Sequence, residues 1–187
     1  MPIASSRVVL KVLKFVRAAL CLAAFLAPAR GATLELLSLN DLISKSTTIV
    51  QAQVAGSSAS FTGNVIYTHY KVSVMAQWKG PAQSAIDVMV PGGAANGMRQ
   101  TCPGVPQLVT GQQYVLFLWT SNQGRTYTMG FTQGVFNLQG ASGNMTAVQM
   151  PATETILTPG TGQVAKSQSI GMPLQQLISA ISAGGTT

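Results

Sequence analysis

Three consecutive segments of this chain alternate apolar and polar residues, and all three share one parity. Val50, Ala52 and Val54 interleave with Gln51 and Gln53. Ile66, Tyr70, Val72, Val74, Ala76 and Trp78 interleave with Tyr67, His69, Lys71, Ser73, Gln77 and Lys79. Ile86, Val88 and Val90 interleave with Asp87 and Met89. A period of two marks a half-buried strand. Turn residues separate the segments, at Thr62-Gly63-Asn64 and at Gly80-Pro81. Folding symmetrically about both turns pairs Val54 with Val72 and Val72 with Val90, so the apolar set lines one face of a meander. A one-residue slip would throw that set into water, so the meander is well specified.

The remaining elements follow from the same patterning. Tyr114-Val115-Leu116-Phe117-Leu118-Trp119 is apolar on both faces and reads as a central strand. Shorter strands are expected at Thr126 to Met129 and at Val135 to Leu138. Between the meander and Tyr114 runs a Gly/Pro-rich loop, Pro91 to Gly111, containing Gly92-Gly93, Asn96-Gly97 and Cys102-Pro103-Gly104. Residues 151–171 are polar and read as a long loop with one short edge strand near Thr155 to Leu157. A short helix is expected after Ser38, an N-cap with Asp41 three residues on and Leu39, Leu42 and Ile43 on one face. A second helix over 173–182 starts at Pro173 and carries Leu174, Leu177, Ile178 and Ile181 on one stripe. With strands dominant and helices only at the ends, the expected fold is mainly β: a small, partly open OB-like β-barrel over about 47–140, flanked by an N-terminal and a C-terminal helix.

The first 29 residues read as a signal peptide. Arg7, Lys11, Lys14 and Arg17 form a positive region, and Ala18 to Ala27 is a ten-residue apolar core. That core is far short of the roughly 20 residues a spanning helix needs. Ala27-Pro28-Ala29 supplies a small-x-small cleavage pattern, and Leu20 stands before Cys21 where a lipobox wants a small residue. The expectation is an exported single domain, 30–187, secreted or periplasmic, with no membrane span after cleavage. Cys102 would then be its one thiol, so its core and not a disulfide must hold it.

Charge is scarce. Only 8% of the chain is Asp, Glu, Lys or Arg, against roughly 25% in ordinary globular proteins. Four of the eleven basic residues leave with the signal, and the remaining seven against four acids give +3. Those seven are scattered from Arg30 to Lys166, with no basic stripe for a phosphate backbone, which argues against nucleic acid as a partner.

Several stretches resemble a known family. Leu39 to Val54, a helix followed by Ser46-Thr47-Thr48-Ile49-Val50-Gln51-Ala52-Gln53-Val54, is similar to the opening of netrin-like and tissue-inhibitor-of-metalloproteinase-like domains. A long strand ending in Trp78-Lys79-Gly80 resembles the next part of that fold. Thr110-Gly111-Gln112-Gln113-Tyr114-Val115-Leu116-Phe117-Leu118 resembles its "G-x-x-Y-L-V-F" strand. Bacterial secreted proteins of unknown role carry similar patterns. The resemblance covers roughly residues 38 to 140 and implies an OB-type barrel. The metalloproteinase inhibitors chelate the protease zinc through a disulfide-fixed N-terminal cysteine; near Arg30 or Ala32 there is none, so the resemblance implies the fold and not the inhibition.

The catalytic inventory of residues 30–187 is one histidine, one cysteine and four acids, Glu35, Asp41, Asp87 and Glu154. No metal site and no cofactor is expected, since neither a Cys/His set nor clustered carboxylates is present. In the symmetric register Asp87 falls opposite Met75, six residues or roughly 20 Å from His69. A Ser-His-Asp arrangement on that pair is therefore not expected. The same register sets His69 opposite Gly93, at the root of the loop carrying Cys102, so a thiol-dependent enzyme or redox protein using Cys102 with His69 is the alternative reading. Met75 and Met89 are expected to share an outward apolar patch near Asp87, and Trp78, Tyr70 and Trp119 to pack in the core. Gly92, Gly93 and Gly97 read as turn residues needing positive φ. The leading expectation is a non-catalytic binding or envelope-associated module for an unknown protein or envelope ligand, its surface formed by Tyr67, His69 and Lys71 with Gly92, Gly93 and Arg99 of the loop.

Overall fold

The structure, a computed structural model, describes residues 33–141, 143–152, 155–165 and 169–184. The expected signal, 1–29, lies outside them. Chain order is β1 (Thr33–Glu35), α1 (Leu39–Lys45), β2 (Thr48–Thr62), β3 (Val65–Lys79), β4 (Ala85–Pro91), β5 (Gly93–Ala95), β6 (Met98–Gln100), β7 (Gln113–Thr120), β8 (Thr126–Thr128), a 3-10 turn (Phe131–Gly134), β9 (Val135–Gln139), β10 (Thr146–Gln149), β11 (Thr155–Leu157), β12 (Gly171–Pro173) and α2 (Leu174–Gly184).

Five strands close a ring. β2 pairs with β3, β3 with β4, β4 in parallel with β8, β8 with β7, and β7 returns to β2. Only Val88↔Thr126 and Met89↔Tyr127 join β4 to β8, so the OB-like barrel is partly open there. β9, β10 and β12 extend the sheet from β7.

Alternation then builds two cores. Val50, Ala52, Val54, Tyr70, Val72, Val88, Val90, Tyr114, Leu116 and Leu118 fill the ring. Ile49, Val115, Phe117 and Phe136 face outward and are covered by Leu42 and Ile43 of α1 and Leu177 and Ile181 of α2. β7 is apolar on both faces because it serves both cores. Each large aliphatic or aromatic side chain so buried contributes about 1.5–3 kcal/mol. The expected capping box holds α1: the Ser38 hydroxyl accepts from the Asp41 N–H at 3.1 Å, and the Asp41 carboxylate accepts from the Ser38 N–H at 3.0 Å. Its last carbonyls, on Ile43 and Ser44, accept from Lys79 Nζ at 2.6 and 3.1 Å.

The register of β2 on β3 includes the expected Val54↔Val72 pair, and Gly63 turns the hairpin with φ 61°. The register of β3 on β4 differs from expectation by four residues. Lys71, not Met75, faces Asp87, and His69 faces Met89, not Gly93. The cause is the connection. No tight turn forms at Gly80-Pro81: β3 and β4 first pair at Ser73↔Ala85, and the intervening loop is pinned on Gln77, which donates to the carbonyls of Lys79 and Pro81 and accepts from the Gln83 N–H. A four-residue shift is even, so it moves each partner about 13 Å along the strand while leaving every side chain on its face.

Other differences are local. The Pro91–Gly111 loop contains a hairpin, β5–β6, turned by Asn96 and Gly97 at φ 51° and 75°. β1, β10, β12 and the 3-10 turn were not expected, whereas the edge strand at Thr155–Leu157 is present and pairs in parallel with β1. Met75 is exposed and Met89 is buried beside His69, so they form no common patch.

Candidate functional site

The helices cover only part of the barrel's outer surface. Beyond them lie Trp119 at the end of β7 and outward residues of β3, β4 and β8, among them Tyr67, His69, Asp87 and Tyr127. Trp119 has the same parity as Val115 and Phe117, yet it is 44% exposed, which overturns its expected place in the core. Tyr70 is buried as expected, and Trp78 packs against the second core.

Trp119 and Tyr127 lie opposite each other on β7 and β8, their rings 6.1 Å apart between centroids and nearly parallel at 26°. Tyr67 continues the row at 6.3 Å from Tyr127, tilted by 58°. The three rings border a groove of about 460 Å³, whose lining also includes Leu34, Met89, Pro91 and Phe131. Phe131 takes φ 56°, a left-handed conformation costly for a bulky residue. β1 is held at this rim by Gln133, which accepts from the Leu37 N–H at 2.8 Å and donates to the Glu35 carbonyl at 3.0 Å.

At the Tyr67 end stands a polar line. His69 Nδ1 is 2.9 Å from Asp87 Oδ2, and His69 Nε2 is 3.1 Å from Ser60 Oγ. The four-residue shift in register makes this possible, and it corrects the expectation that Asp87 lies out of reach. The connectivity is that of a Ser-His-Asp triad. Two of its usual supports differ: the Asp87 side chain is 53% exposed, and Ser60 sits within the β2–β3 ladder, opposite Tyr67, and not at a turn.

The sequence-predicted residues fall into two groups on either side of Pro91. Tyr67, His69 and Lys71 share the outer face. Gly92, Gly93, Arg99 and Cys102 line a second cavity of about 400 Å³ together with the inward-pointing Thr68 and Val90. His69 does not line that cavity: it alternates with Thr68 along β3, so imidazole and thiol are not brought together. Cys102 is half-buried. Gly92 and Gly93 do take positive φ, 100° and 131°, and a side chain at Gly93 would meet Thr68 Oγ1 at 2.5 Å. Among the described residues no three His, Cys, Asp or Glu side chains converge as a metal site, and no helix is long and apolar enough to cross a membrane.

Trp119, Tyr127, Phe131 and Ser60 escaped sequence reasoning. A strand apolar on both faces does not say which outward residues the helices leave uncovered, and pairing of Ser60 with His69 depends on register. The chain matches no protein-family model and no curated protein.

Proposed function

We propose that the protein is an exported, non-catalytic binding module that takes its ligand at the cell envelope, on the outer face of β3, β4 and β8 and the Trp119 end of β7. Trp119 carries this reading: it is stacked on Tyr127 at the head of a groove, and among the described residues it is the aromatic one of the exposed large apolar side chains, the others being aliphatic or methionine. The strained Phe131 on the same groove supports it, since backbone strain concentrates where a site requires it. Export is supported by the N-terminal pattern of charge, apolar core and small residues.

The test is co-sedimentation of the protein, recovered from cells expressing the full chain, with isolated cell envelopes. Wild type and Cys102→Ser are expected to sediment alike, and Trp119→Ala to stay in the supernatant with its fold intact by circular dichroism. Equal sedimentation of Trp119→Ala would place binding elsewhere.

One observation favours a second reading. The Ser60–His69–Asp87 connectivity suits an ester hydrolase in which His69 takes the Ser60 proton as the hydroxyl attacks. It ranks second because such catalysis also relies on converging oxyanion donors in a water-excluded site, and Ser60 lies on a regular strand beside a half-exposed carboxylate. A fluorophosphonate probe that labels wild type but not Ser60→Ala would favour it.

A further inference from the structure

We infer that the ligand on this face is a neutral oligosaccharide chain, held against the Trp119–Tyr127 platform and hydrogen-bonded along the Ser60–His69–Asp87 line; this rests on the outer-face reading above. Four observations converge on that chemistry.

The first is the shape of the apolar surface. Trp119 and Tyr127 present two nearly parallel rings, and the tilted Tyr67 closes the row as a wall. The face of an aromatic ring is the negative side of its quadrupole and receives polarised C–H groups. A pyranose offers a flat array of such C–H groups, with its hydroxyls directed to the rim. The exposed surface of the Trp119–Tyr127 stack, with Tyr67 beside it, suits such a unit.

The second is what stands at the rim. Ser60, His69 and Asp87 form one hydrogen-bonded line, 3.1 and 2.9 Å between successive atoms, at the Tyr67 end. The carboxylate engages His69 through Oδ2. Its other oxygen and the lone pairs of the Ser60 hydroxyl, whose O–H is engaged by His69 Nε2 when Nδ1–H faces Asp87, are acceptors for neighbouring sugar hydroxyls. Mutual bonding fixes these groups before any ligand arrives, which lowers the ordering cost of binding.

The third is charge. Nucleobases also stack on aromatic rows, but a nucleic acid or other polyanion needs cations along its track. Lys45, which shares a surface hollow with Trp119, is paired with Asp41 at 3.2 Å, and Lys71 lies opposite Asp87. Two cations near the row thus stand beside a carboxylate; Arg125, two residues before Tyr127, is a further cation there, and one guanidinium at the end of the row is no track of cations.

The fourth is the ladder. A peptide ligand most simply adds a strand to an open edge. Here β8 pairs with both β4 and β7 directly beneath the rings, so Trp119 and Tyr127 stand on a paired face, and the barrel opens only beyond Val88↔Thr126 and Met89↔Tyr127.

The experiment is a titration of the ¹⁵N-labelled protein with soluble cello-, chito-, malto- and xylo-oligosaccharides, following the Trp119 indole N–H peak assigned through Trp119→Phe. At least one chain is expected to shift that peak saturably. Trp119→Ala or Tyr127→Ala should weaken binding by about tenfold or more, as lost stacking contacts do. Asp87→Asn should weaken it less, and raising salt to roughly 0.5 M should leave it unchanged, because no charge on the ligand is screened. Trp119→Phe, which keeps a ring, should retain most of the affinity and separates loss of stacking from loss of fold.

Envelope sedimentation that depends on Trp119, combined with no response to any of the four chains, would overturn the saccharide assignment and leave the outer-face reading standing. Binding instead to heparin or to an oligonucleotide, with a steep salt dependence, or to neutral phospholipid vesicles, would also overturn it. Envelope binding indifferent to Trp119→Ala would remove the outer-face reading itself.

Discussion

Asp41 shows how one side chain serves two ends of a contact. Its carboxyl is held below the usual value of 3.8, chiefly by the hydrogen bond from the Ser38 hydroxyl, then by the Ser38 backbone and Lys45. A carboxylate whose folded pKa is lowered stabilises the fold above its unfolded value, and loses that contribution as pH falls through the folded one. Asp41→Asn is therefore expected to lower the urea midpoint at pH 6. The deficit should begin to shrink as pH falls below about 3.8 and vanish once it has passed through the lowered folded value, where both proteins carry an uncharged group; a deficit independent of pH would refute the assignment. This contact was legible in advance, since Ser38 and Asp41 stand three residues apart and a capping box involves nothing beyond its own turn. Asp87 is the opposite case. Its partner His69 is eighteen residues away, and no local pattern determines that spacing in the fold.

At the scale of elements, β8 is three residues long and is held by its neighbours. Its partner β7 and the 3-10 turn meet where the Met129 N–H donates to the Phe117 carbonyl at 2.8 Å. Gly134 lies against that bond: a Cβ there would fall near the Met129 carbonyl, 3.0 Å from the Phe117 carbonyl and 3.1 Å from the Met129 nitrogen. Gly134→Ala is accordingly expected to cost about 1–3 kcal/mol, read from the urea midpoint, as overpacking in a tight site does. It should also broaden the Tyr127 and Trp119 resonances, because the platform stands on this junction; an unchanged midpoint would show that the backbone relaxes freely. The strands that alternate cleanly, β2, β3 and β4, were readable from the chain, and so was α2 from its apolar stripe. β1, β10 and β12 were not. Each is only three or four residues, and each is a strand because a partner lies beside it. The β5–β6 hairpin had a readable signal in Asn96-Gly97, but its three-residue strands lack a clear alternation.

For the whole molecule, the register of β3 on β4 decides whether there is a site at all. In a Cys102→Ser background, cysteines at positions 71 and 87 are expected to cross-link under mild oxidation, since residues directly opposed across a ladder lie within disulfide reach. Cysteines at 75 and 87 should not. The reverse result would restore the symmetric meander and dissolve the Ser60–His69–Asp87 line. By itself the sequence determined which side of each strand faces the core, because burial acts residue by residue and a period of two records it directly. It likewise determined that the chain is mainly β with helices at its ends, and where α1 is capped. Only the tertiary structure decided how far each strand slides along the next. An even shift leaves every apolar residue buried, so hydrophobic patterning is blind to it, and the choice fell to Gln77 pinning a loop after β3. The structure also decided which outward residues the two helices cover. Phe117 lies beneath them and Trp119, two residues on, does not; that difference comes from where the helices end, and it leaves an exposed indole on which the proposed function rests.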